Sequence, residues 1–389
     1  MQRHSITPRP NLEARARACE FYFATMDGEI YWDERAYYSF TLRQIEDHLE
    51  QPSAELSALC LDLVDRAVHD ERILLRLAIP PVAWDIIAES WRRRDPSLYG
   101  RFDLAYDGQG PAKLLEYNAD TPTALFEAAY FQWGWLEDAI AQHALPDTAD
   151  QFNSIQEALV ATLSKISAES GCKSLYLTCL PESVEDGGLI AYLADCAVQA
   201  GFATTHIAIG DIGSSGAGPF VDMSGAPIAM LFKLYPWEWM ITDDFVRSPS
   251  MRHTRFIEPA WKAILSNKGI LPLLWALAPG HPNLLPSYFE DDPARTALAG
   301  RYARKPLYSR EGSNITLHDG DKVLDEAGGP YAVNDYVWQA LASMPSYAGN
   351  TPVIGSWIVG GTPCGIGIRE DTSPITKNTS RFIPHAIIG

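Results

Sequence analysis

Three consecutive segments decide the fold of this chain: RFDLAY at residues 101–106, DGQG at 107–110 and KLLEYN at 113–118. The first alternates polar and apolar residues, which is typical of a β-strand with one buried face. The second has the composition of a turn, and the third reads as another strand. We therefore predict an antiparallel β-hairpin.

The register of this hairpin follows from its polar residues. If Asp103 lies opposite Glu116, then Arg101 lies opposite Asn118, because side chains alternate between the two faces of a strand. One face of the hairpin is then polar. The other is apolar, with Phe102 and Leu104 meeting Tyr117 and Leu115.

The polar face has the chemistry of a site for a metal ion and an anion. Magnesium prefers carboxylate and amide oxygens, takes one or two carboxylates from a protein, and completes its shell with water and phosphate. Asp103, Glu116 and Asn118 offer such oxygens, and Arg101 would neutralise an anion held by the same ion. A solvated hairpin face with ordinary charges is the alternative, since short motifs also occur by chance.

The composition is that of a folded enzyme of two or three domains. The chain has 389 residues, of which 47% are hydrophobic and 21% are charged, which is ordinary for a globular enzyme. A formal net charge of −18 argues against nucleic acid and membranes as partners and favours cationic small molecules. Acidity that serves solubility alone remains an alternative.

Cysteine spacing and the N-terminal segment give an expectation for the cellular location. The six cysteines are scattered without a Cys-x-x-Cys pair, so we expect neither a disulfide framework nor a zinc site. The N-terminal segment is rich in arginine and has no apolar core, so it predicts neither a signal peptide nor a transmembrane helix. A cytoplasmic location is the resulting expectation, and the pattern leaves the oligomeric state open.

The periodicity of apolar residues predicts an α/β chain of mixed α+β type in three segments. Residues 1–150 combine a mostly helical region, over the first ~95 residues, with the hairpin. Residues 151–260 contain strands at 174–179 and 204–209 around a helix, which is a βαβ unit and implies a parallel sheet. Residues 261–389 mix short helices and strands.

Two lysines in the last segment could hold phosphate groups. Lys268 interrupts a helical stretch, and Lys305 lies near the end of a predicted strand at residues 301–306. Gly312 and Ser313 follow in a turn-rich loop whose backbone N–H groups could form an anion nest. The chain lacks the P-loop pattern, and a lysine considered alone is more commonly an exposed surface charge.

These motifs together give the chain a resemblance to a known family. The matching segments are RFD at 101–103, LLEYNADTPT at 114–123, YPWEW at 235–239, NKGILP at 267–272, RKPLYSREGSNI at 304–315 and GIGIRE at 365–370. They are spread in order over nearly the whole chain. The chain resembles the glutathionylspermidine synthetase family, the ATP-grasp acid–amine ligases that include the synthetase half of bifunctional glutathionylspermidine synthetase/amidase.

The resemblance implies an ATP-grasp-type fold in which residues 151–260 form a preATP-grasp-like parallel α/β domain and residues 261–389 form the nucleotide-binding part. It implies ATP and Mg2+ as cofactors. A carboxylate, such as a glutathione-like peptide, would be joined to a polyamine-like amine through an acyl phosphate, and the amidase half would be missing. An unrelated acid and amine, or a nucleotide-binding protein of this fold without ligase activity, remain alternatives.

The resemblance also assigns roles to individual residues. Asp103, Glu116 and Asn118 would hold magnesium, and Arg101 would stabilise the transferring phosphate as the catalytic residue. The nucleotide contacts would come from Lys268, Lys305, the flexible loop at 310–314 with Gly312 and Ser313, and Gln339 near the adenine.

Glu238 is the candidate for binding the amine. Its carboxylate would grip an ammonium group, helped by cation–π contact with Trp237 or Trp239. The alternatives are a position near a helix N-terminus or a contact that bridges two domains.

Overall fold

The predicted hairpin forms two strands of a five-stranded antiparallel sheet in the computed structural model, which describes residues 1–26, 28–331 and 335–389. We call this the central sheet. Its strands, in spatial order, are Arg381–Ile383, Thr362–Asp371, Thr351–Val359, Tyr99–Ala105 and Lys113–Asn118. The two long strands near the C-terminus form a second hairpin across Gly360 and Gly361.

The predicted register of the polar face is confirmed. Asp103 pairs with Glu116, and Arg101 pairs with Asn118. The alternation of side chains along each strand therefore brings all four polar groups to one face, as the sequence pattern indicated.

The apolar face differs from the prediction at one pair. Phe102 faces Tyr117, with ring centroids 4.1 Å apart, but Leu104 pairs with Leu114 rather than with Leu115. The register shifts between Asp103 and Leu104, because a β-bulge places an extra residue on one strand. The prediction for Leu115 was thus wrong.

A four-stranded parallel sheet occupies the middle of the chain and confirms the βαβ unit. Its order is Arg255–Ile257, Met230–Leu234, Ser174–Cys179 and Ala203–His206. The crossover helix Val184–Gln199 begins after Ser183, whose side chain accepts a hydrogen bond from the Asp186 N–H (3.1 Å) and caps the helix.

A second five-stranded antiparallel sheet, which we call the outer sheet, lies beside the hairpin. Its order is Ser287–Phe289, Tyr336–Ala340, Arg301–Pro306, Thr316–Asp319 and Lys322–Glu326. Lys305 Nζ donates to the Leu115 carbonyl (2.8 Å), and Gln339 Nε2 donates to the Leu114 carbonyl (2.9 Å). These bonds fix the outer sheet to the hairpin.

The N-terminal region is less helical than predicted. Gln2–Ser5 pairs with Ala36–Phe40, which pairs in parallel with His385–Ile387. Two small ladders, Thr25–Met26 with Glu29–Ile30 and Gly213–Ser214 with Phe220–Val221, complete the strands of the described ranges. The expectation of helix over the first ~95 residues therefore fails before residue 40, where the strands depend on a partner near residue 385.

Helices cover the faces of these sheets. The α-helices are Leu12–Ala18, Leu42–Ile45, Gln51–Ala67, Glu71–Arg76, Pro81–Arg92, Gln132–Ala141, Ile155–Ser170, Val184–Gln199, Trp237–Met240, Lys262–Leu265 and Ile270–Leu277. Two π-helical turns, Glu46–Glu50 and Glu127–Phe131, and four 3-10 turns, Ile209–Asp211, Asp244–Arg247, Pro249–Arg252 and Pro293–Leu298, join them. Within the described ranges, we find no helix with the length and apolarity to cross a membrane.

Candidate functional site

Two cavities meet at the polar face of the hairpin. The polar cavity, of about 130 Å³, is lined mainly by charged and amide side chains. The apolar cavity, of about 540 Å³, lies between the hairpin and the outer sheet. Asp103, Glu116, Gly312 and Thr376 line both, so the hairpin carboxylates stand where the two cavities join.

The four polar side chains of the hairpin converge in a hydrogen-bonded group. Arg101 Nε and Nη2 donate to the two oxygens of Asp103 at 2.6 and 3.0 Å, and Arg101 Nη1 donates to the Thr123 carbonyl at 2.7 Å. Asn118 Nδ2 donates to Asp103 Oδ2 (3.1 Å) and to Glu116 Oε1 (3.3 Å). Three potential metal ligands therefore point to one place.

Burial and neighbouring charge act differently on the two carboxylates. Burial raises the pKa of Glu116, but the charges of Lys268 and Lys305 outweigh burial and hold that pKa at about 2. Burial also raises the pKa of Asp103, and the Arg101 guanidinium opposes this without cancelling it. Glu116 is thus anionic at neutral pH, and a further cation would stabilise the charged form of Asp103.

The donor set fits magnesium. It offers two carboxylates and one amide, which matches the one or two protein carboxylates that magnesium takes with other oxygen ligands. Asp103, Glu116 and Asn118 are the residues that would hold such an ion, although the described residues contain no group of three or more His, Cys, Asp or Glu side chains placed to hold a metal ion.

The predicted nucleotide residues lie around the same carboxylates. Lys268 Nζ is 3.2 Å from Glu116 Oε2 and donates to the Ser309 carbonyl (2.7 Å). Lys305 Nζ donates to Gln339 Oε1 (2.7 Å), and burial lowers the pKa of Lys305 to about 8. Lys268 lines the polar cavity, whereas Lys305 and Gln339 line the apolar one.

The loop at residues 310–314 lines the polar cavity with Arg310, Glu311 and Gly312, and Gly312 also lines the apolar cavity. Gly312 has φ +69°, and a Cβ there would lie 2.5 Å from the Thr376 carbonyl oxygen, so a larger residue would force the backbone apart. The Ser313 N–H donates to the Arg310 carbonyl (2.9 Å) and is thus engaged within the loop. Of the two residues of the predicted nest, the structure brings Gly312 to the junction.

Glu238 lines the polar cavity from the short helix Trp237–Met240. Its Oε1 accepts from Arg310 Nη2 (3.0 Å) and Nε (3.3 Å), while its buried Oε2 has no partner among the described residues. Trp237 is 1% exposed, and its ring centroid lies 4.4 Å from Lys233 Nζ. The ring of Trp239 lies 5.5 Å from the Arg310 guanidinium carbon, so both neighbouring rings already face a cation of the chain.

Among the charged residues of the polar cavity that sequence reasoning missed are Asp120 and Arg369. Asp120 Oδ1 accepts from Lys233 Nζ (2.7 Å), and its Oδ2 accepts from the Trp237 N–H (2.7 Å). Both residues lie inside the quoted segments at 114–123 and 365–370, which is the signal that could have found them.

Comparison with solved structures defines the class of fold. The chain matches a glutathione synthetase-like effector from Globodera pallida over 98% of both chains, with a TM-score of 0.60 and 13% sequence identity. The fold is therefore mixed α/β of the ATP-grasp type. The sequence model described as "Glutathionylspermidine synthase preATP-grasp" matches residues 3–388, and the chain belongs to this family.

Named relatives of the chain are carbon–nitrogen ligases. A Haemophilus influenzae protein, provisionally named an acid–amine ligase, is 41% identical, with 93% of this chain and 92% of the relative covered. The Escherichia coli bifunctional glutathionylspermidine synthetase/amidase is 28% identical (92% of this chain, 60% of the relative). Trypanothione synthetase from Crithidia fasciculata is also 28% identical (83% and 52%). The chain thus spans only about half to three fifths of the latter two.

Proposed function

We propose that the protein is an ATP- and magnesium-dependent ligase that joins a carboxylate to an amine through an acyl phosphate. The observation that carries this proposal is the position of Asp103 and Glu116, which line both cavities. A nucleotide in one cavity and an acid and amine in the other would then meet at these carboxylates. The proposal includes the predicted division into residues 1–150, 151–260 and 261–389.

The nucleotide would lie in the apolar cavity. Its size suits a small-molecule site, and Gln339 adds polar atoms beside the apolar side chains of Ile315 and Leu317. Lys305 would contact phosphates near the hairpin, and Lys268 would do so from the polar side. Gly312 and Ser313 would belong to the loop that covers these phosphates.

The chain's own residues would act mainly by positioning and charge neutralisation. The substrate carboxylate attacks the γ-phosphorus of ATP, which gives the acyl phosphate and ADP, and the amine then displaces phosphate to form the amide. Arg101 would neutralise charge on the transferring phosphoryl group. Magnesium, held by Asp103, Glu116 and Asn118, would supply further positive charge at the phosphate oxygens. This sequence requires no covalent nucleophile from the protein.

The substrates would be a peptide-like acid and a polyamine-like amine. The names of the relatives support this pair, and the net charge of −18 favours a cationic substrate. In the polar cavity, Arg369 could contact a substrate carboxylate through Nη1, because its Nε and Nη2 donate to backbone carbonyls of the loop at 377–380. Glu238, with its unpaired buried oxygen, is suited to an ammonium group.

The test is magnesium-dependent release of ADP from ATP against a matrix of small peptides, including glutathione, crossed with polyamines and amino acids. We expect release only when an acid and an amine are both present, with loss of at least ~100-fold in Asp103→Ala. Asp70→Ala, which removes a carboxylate from an exposed pair with Arg72, is the matched control and should keep the wild-type rate. Absence of nucleotide binding would overturn the proposal.

A further inference from the structure

Glu238 and Arg310 form an ion pair inside the polar cavity. Only one of the two carboxylate oxygens of Glu238 takes part in it. Both residues line the cavity, and Arg310 engages Oε1 with two nitrogens. Oε2 is buried and has no partner among the described residues. A buried carboxylate oxygen without a donor is costly, so it marks a place where a donor from outside the chain would bind favourably.

The charges around Glu238 balance while Arg310 is present. Lys233 and Asp120 form a buried pair, with side chains 0% and 1% exposed, and Asp120 lines the same cavity as Glu238. Asp120 is joined to the same short helix through the Trp237 N–H. With Arg310 added, these four groups carry two positive and two negative charges, and the neighbouring buried pair of Glu258 with Lys262 adds one charge of each sign. A substrate ammonium would leave this site with an excess positive charge, which burial disfavours.

The Arg310 side chain is more exposed than that of Glu238, so Arg310 is the partner that can move out of the ion pair. The Arg310 side chain is 33% exposed and that of Glu238 is 13% exposed. Arg310 Nη1 also donates to Thr121 Oγ1 (2.9 Å) at the cavity wall. The following residues Glu311 and Asn314 have φ of +53° and +58°, a region that costs a non-glycine residue free energy. The loop conformation therefore depends on contacts such as this ion pair.

The same cavity contains the groups that would hold phosphate, so Arg310 has a second possible anionic partner there. Guanidinium groups bind phosphate and carboxylate in the same bidentate way. If Arg310 turned toward a phosphate near Lys268, the group of Lys233, Asp120 and Glu238 would carry one net negative charge. The positive charge of one ammonium group would neutralise this net negative charge.

We propose that Arg310 exchanges between Glu238 and the phosphate groups of the nucleotide, so that Glu238 accepts the amine only after the nucleotide has bound. This inference rests on the proposed function, because it assumes a nucleotide beside the hairpin. Arg310 thus masks the amine site in the free protein. Binding then follows a fixed order, with nucleotide before amine.

A double-mutant cycle tests the exchange without knowledge of the true amine. If Glu238 competes with phosphate for Arg310, then Glu238→Gln frees Arg310 and tightens the binding of a non-hydrolysable magnesium–ATP analogue by about tenfold. Arg310→Gln weakens binding of the analogue. In the Arg310→Gln background, Glu238→Gln should change the dissociation constant of the analogue by no more than about twofold, because Arg310 is no longer present to be freed. Calorimetry of all four proteins gives the dissociation constants.

Glu311→Gln is the matched control for loss of a negative charge, because Glu311 lies in the same cavity wall. It should tighten binding by much less than Glu238→Gln does. Equal effects in the two variants, or an equal effect of Glu238→Gln with and without Arg310, would overturn the exchange and leave the proposed function intact. If the wild-type protein does not bind the analogue, the proposed function fails and this inference fails with it.

Spermidine provides a direct measurement of the binding order. We expect the wild-type protein to bind spermidine at least about tenfold more tightly when saturated with the ATP analogue. Arg310→Gln should remove this dependence by leaving Glu238 open in both states. Equal affinity of the wild-type protein for spermidine with and without the analogue would contradict the proposed order.

Discussion

At the scale of single residues, Glu127 shows how burial changes the chemistry of a carboxyl group away from the metal site. Glu127 is 1% exposed, and its Oε1 accepts from the Tyr31 hydroxyl at 2.5 Å. Burial, reinforced by the charge of Glu185, raises the pKa of Glu127 to about 7, although the Tyr31 hydrogen bond and Arg369 oppose the rise. This carboxyl group therefore titrates near neutral pH in the folded protein.

The raised pKa predicts a loss of stability with increasing pH. Between the ordinary pKa of 4.5 and the folded value of about 7, the folded state keeps a proton that the unfolded state has released. The contribution of Glu127 to the free energy of unfolding is fully present below pH 4.5 and is lost as the pH rises through 7. The loss is about 1 kcal/mol between pH 6 and 8.

Urea unfolding at pH 6 and pH 8 measures this loss. Glu127→Gln, which has no proton to lose, should reduce the decline in the free energy of unfolding by that amount. Glu13→Gln is the control, since the Glu13 side chain is 91% exposed. A decline of equal size in wild-type protein and Glu127→Gln would show that another group is responsible.

At the scale of secondary-structure elements, the strand Thr351–Val359 sets the position of the catalytic candidate on its neighbour. Gly355 pairs with Asp103, and a Cβ at Gly355 would lie 2.7 Å from Arg101 Cδ. The absence of a side chain on one strand therefore makes room for the guanidinium on the next.

Gly355→Ala should impair catalysis more than folding. The new methyl group would meet a side chain and not the backbone, so the strands can stay paired and we expect the melting temperature to change by only a few degrees. The displaced guanidinium should lower kcat about tenfold with little change in nucleotide affinity. Steady-state kinetics and a thermal melt measure both quantities.

Gly134→Ala is the matched control, because a Cβ at Gly134 would meet no atom within 4 Å. It should keep the wild-type kcat. Unchanged turnover in Gly355→Ala would mean that the position of Arg101 is not critical for the reaction.

At the scale of the whole molecule, the beginning and the end of the chain are held together by buried charge. Arg3 Nε and Nη2 donate to the two carboxylate oxygens of Glu370 at 2.9 and 2.8 Å, and Arg381 Nη2 donates to Glu370 Oε1 at 2.9 Å. The Glu370 side chain is 0% exposed. The N-terminal strand Gln2–Ser5 is thus held to the central sheet by the buried Glu370 carboxylate, whose charge is neutralised by both Arg3 and Arg381.

Arg3→Ala should destabilise the whole fold. Removing one cation leaves a buried carboxylate only partly compensated, which we expect to lower the free energy of unfolding by about 2 kcal/mol. Arg43→Ala, which breaks an exposed helical pair with Asp47, should change it by less than about 0.5 kcal/mol. Urea unfolding compares the two, and equal effects would mean that the terminal strand contributes no specific stability.

Local pattern was enough to predict the elements closest to the chemistry. The hairpin register of Asp103 with Glu116, the βαβ unit and the strand Arg301–Pro306 were all predicted and are confirmed. Each depends on an alternation or a turn within a few residues, which the sequence states directly. The family was also recognisable from its ordered motifs.

Only the tertiary structure decided how these elements combine. The bulge after Asp103, the N-terminal strands and the pairing of Tyr99–Ala105 with Thr351–Val359 depend on partners distant in sequence, and local propensity does not encode such partners. The same holds for the ion pair of Arg310 with Glu238, which joins a loop to a short helix 72 positions away. The sequence by itself determined which residues carry the charges, and packing determined which of those charges face one another.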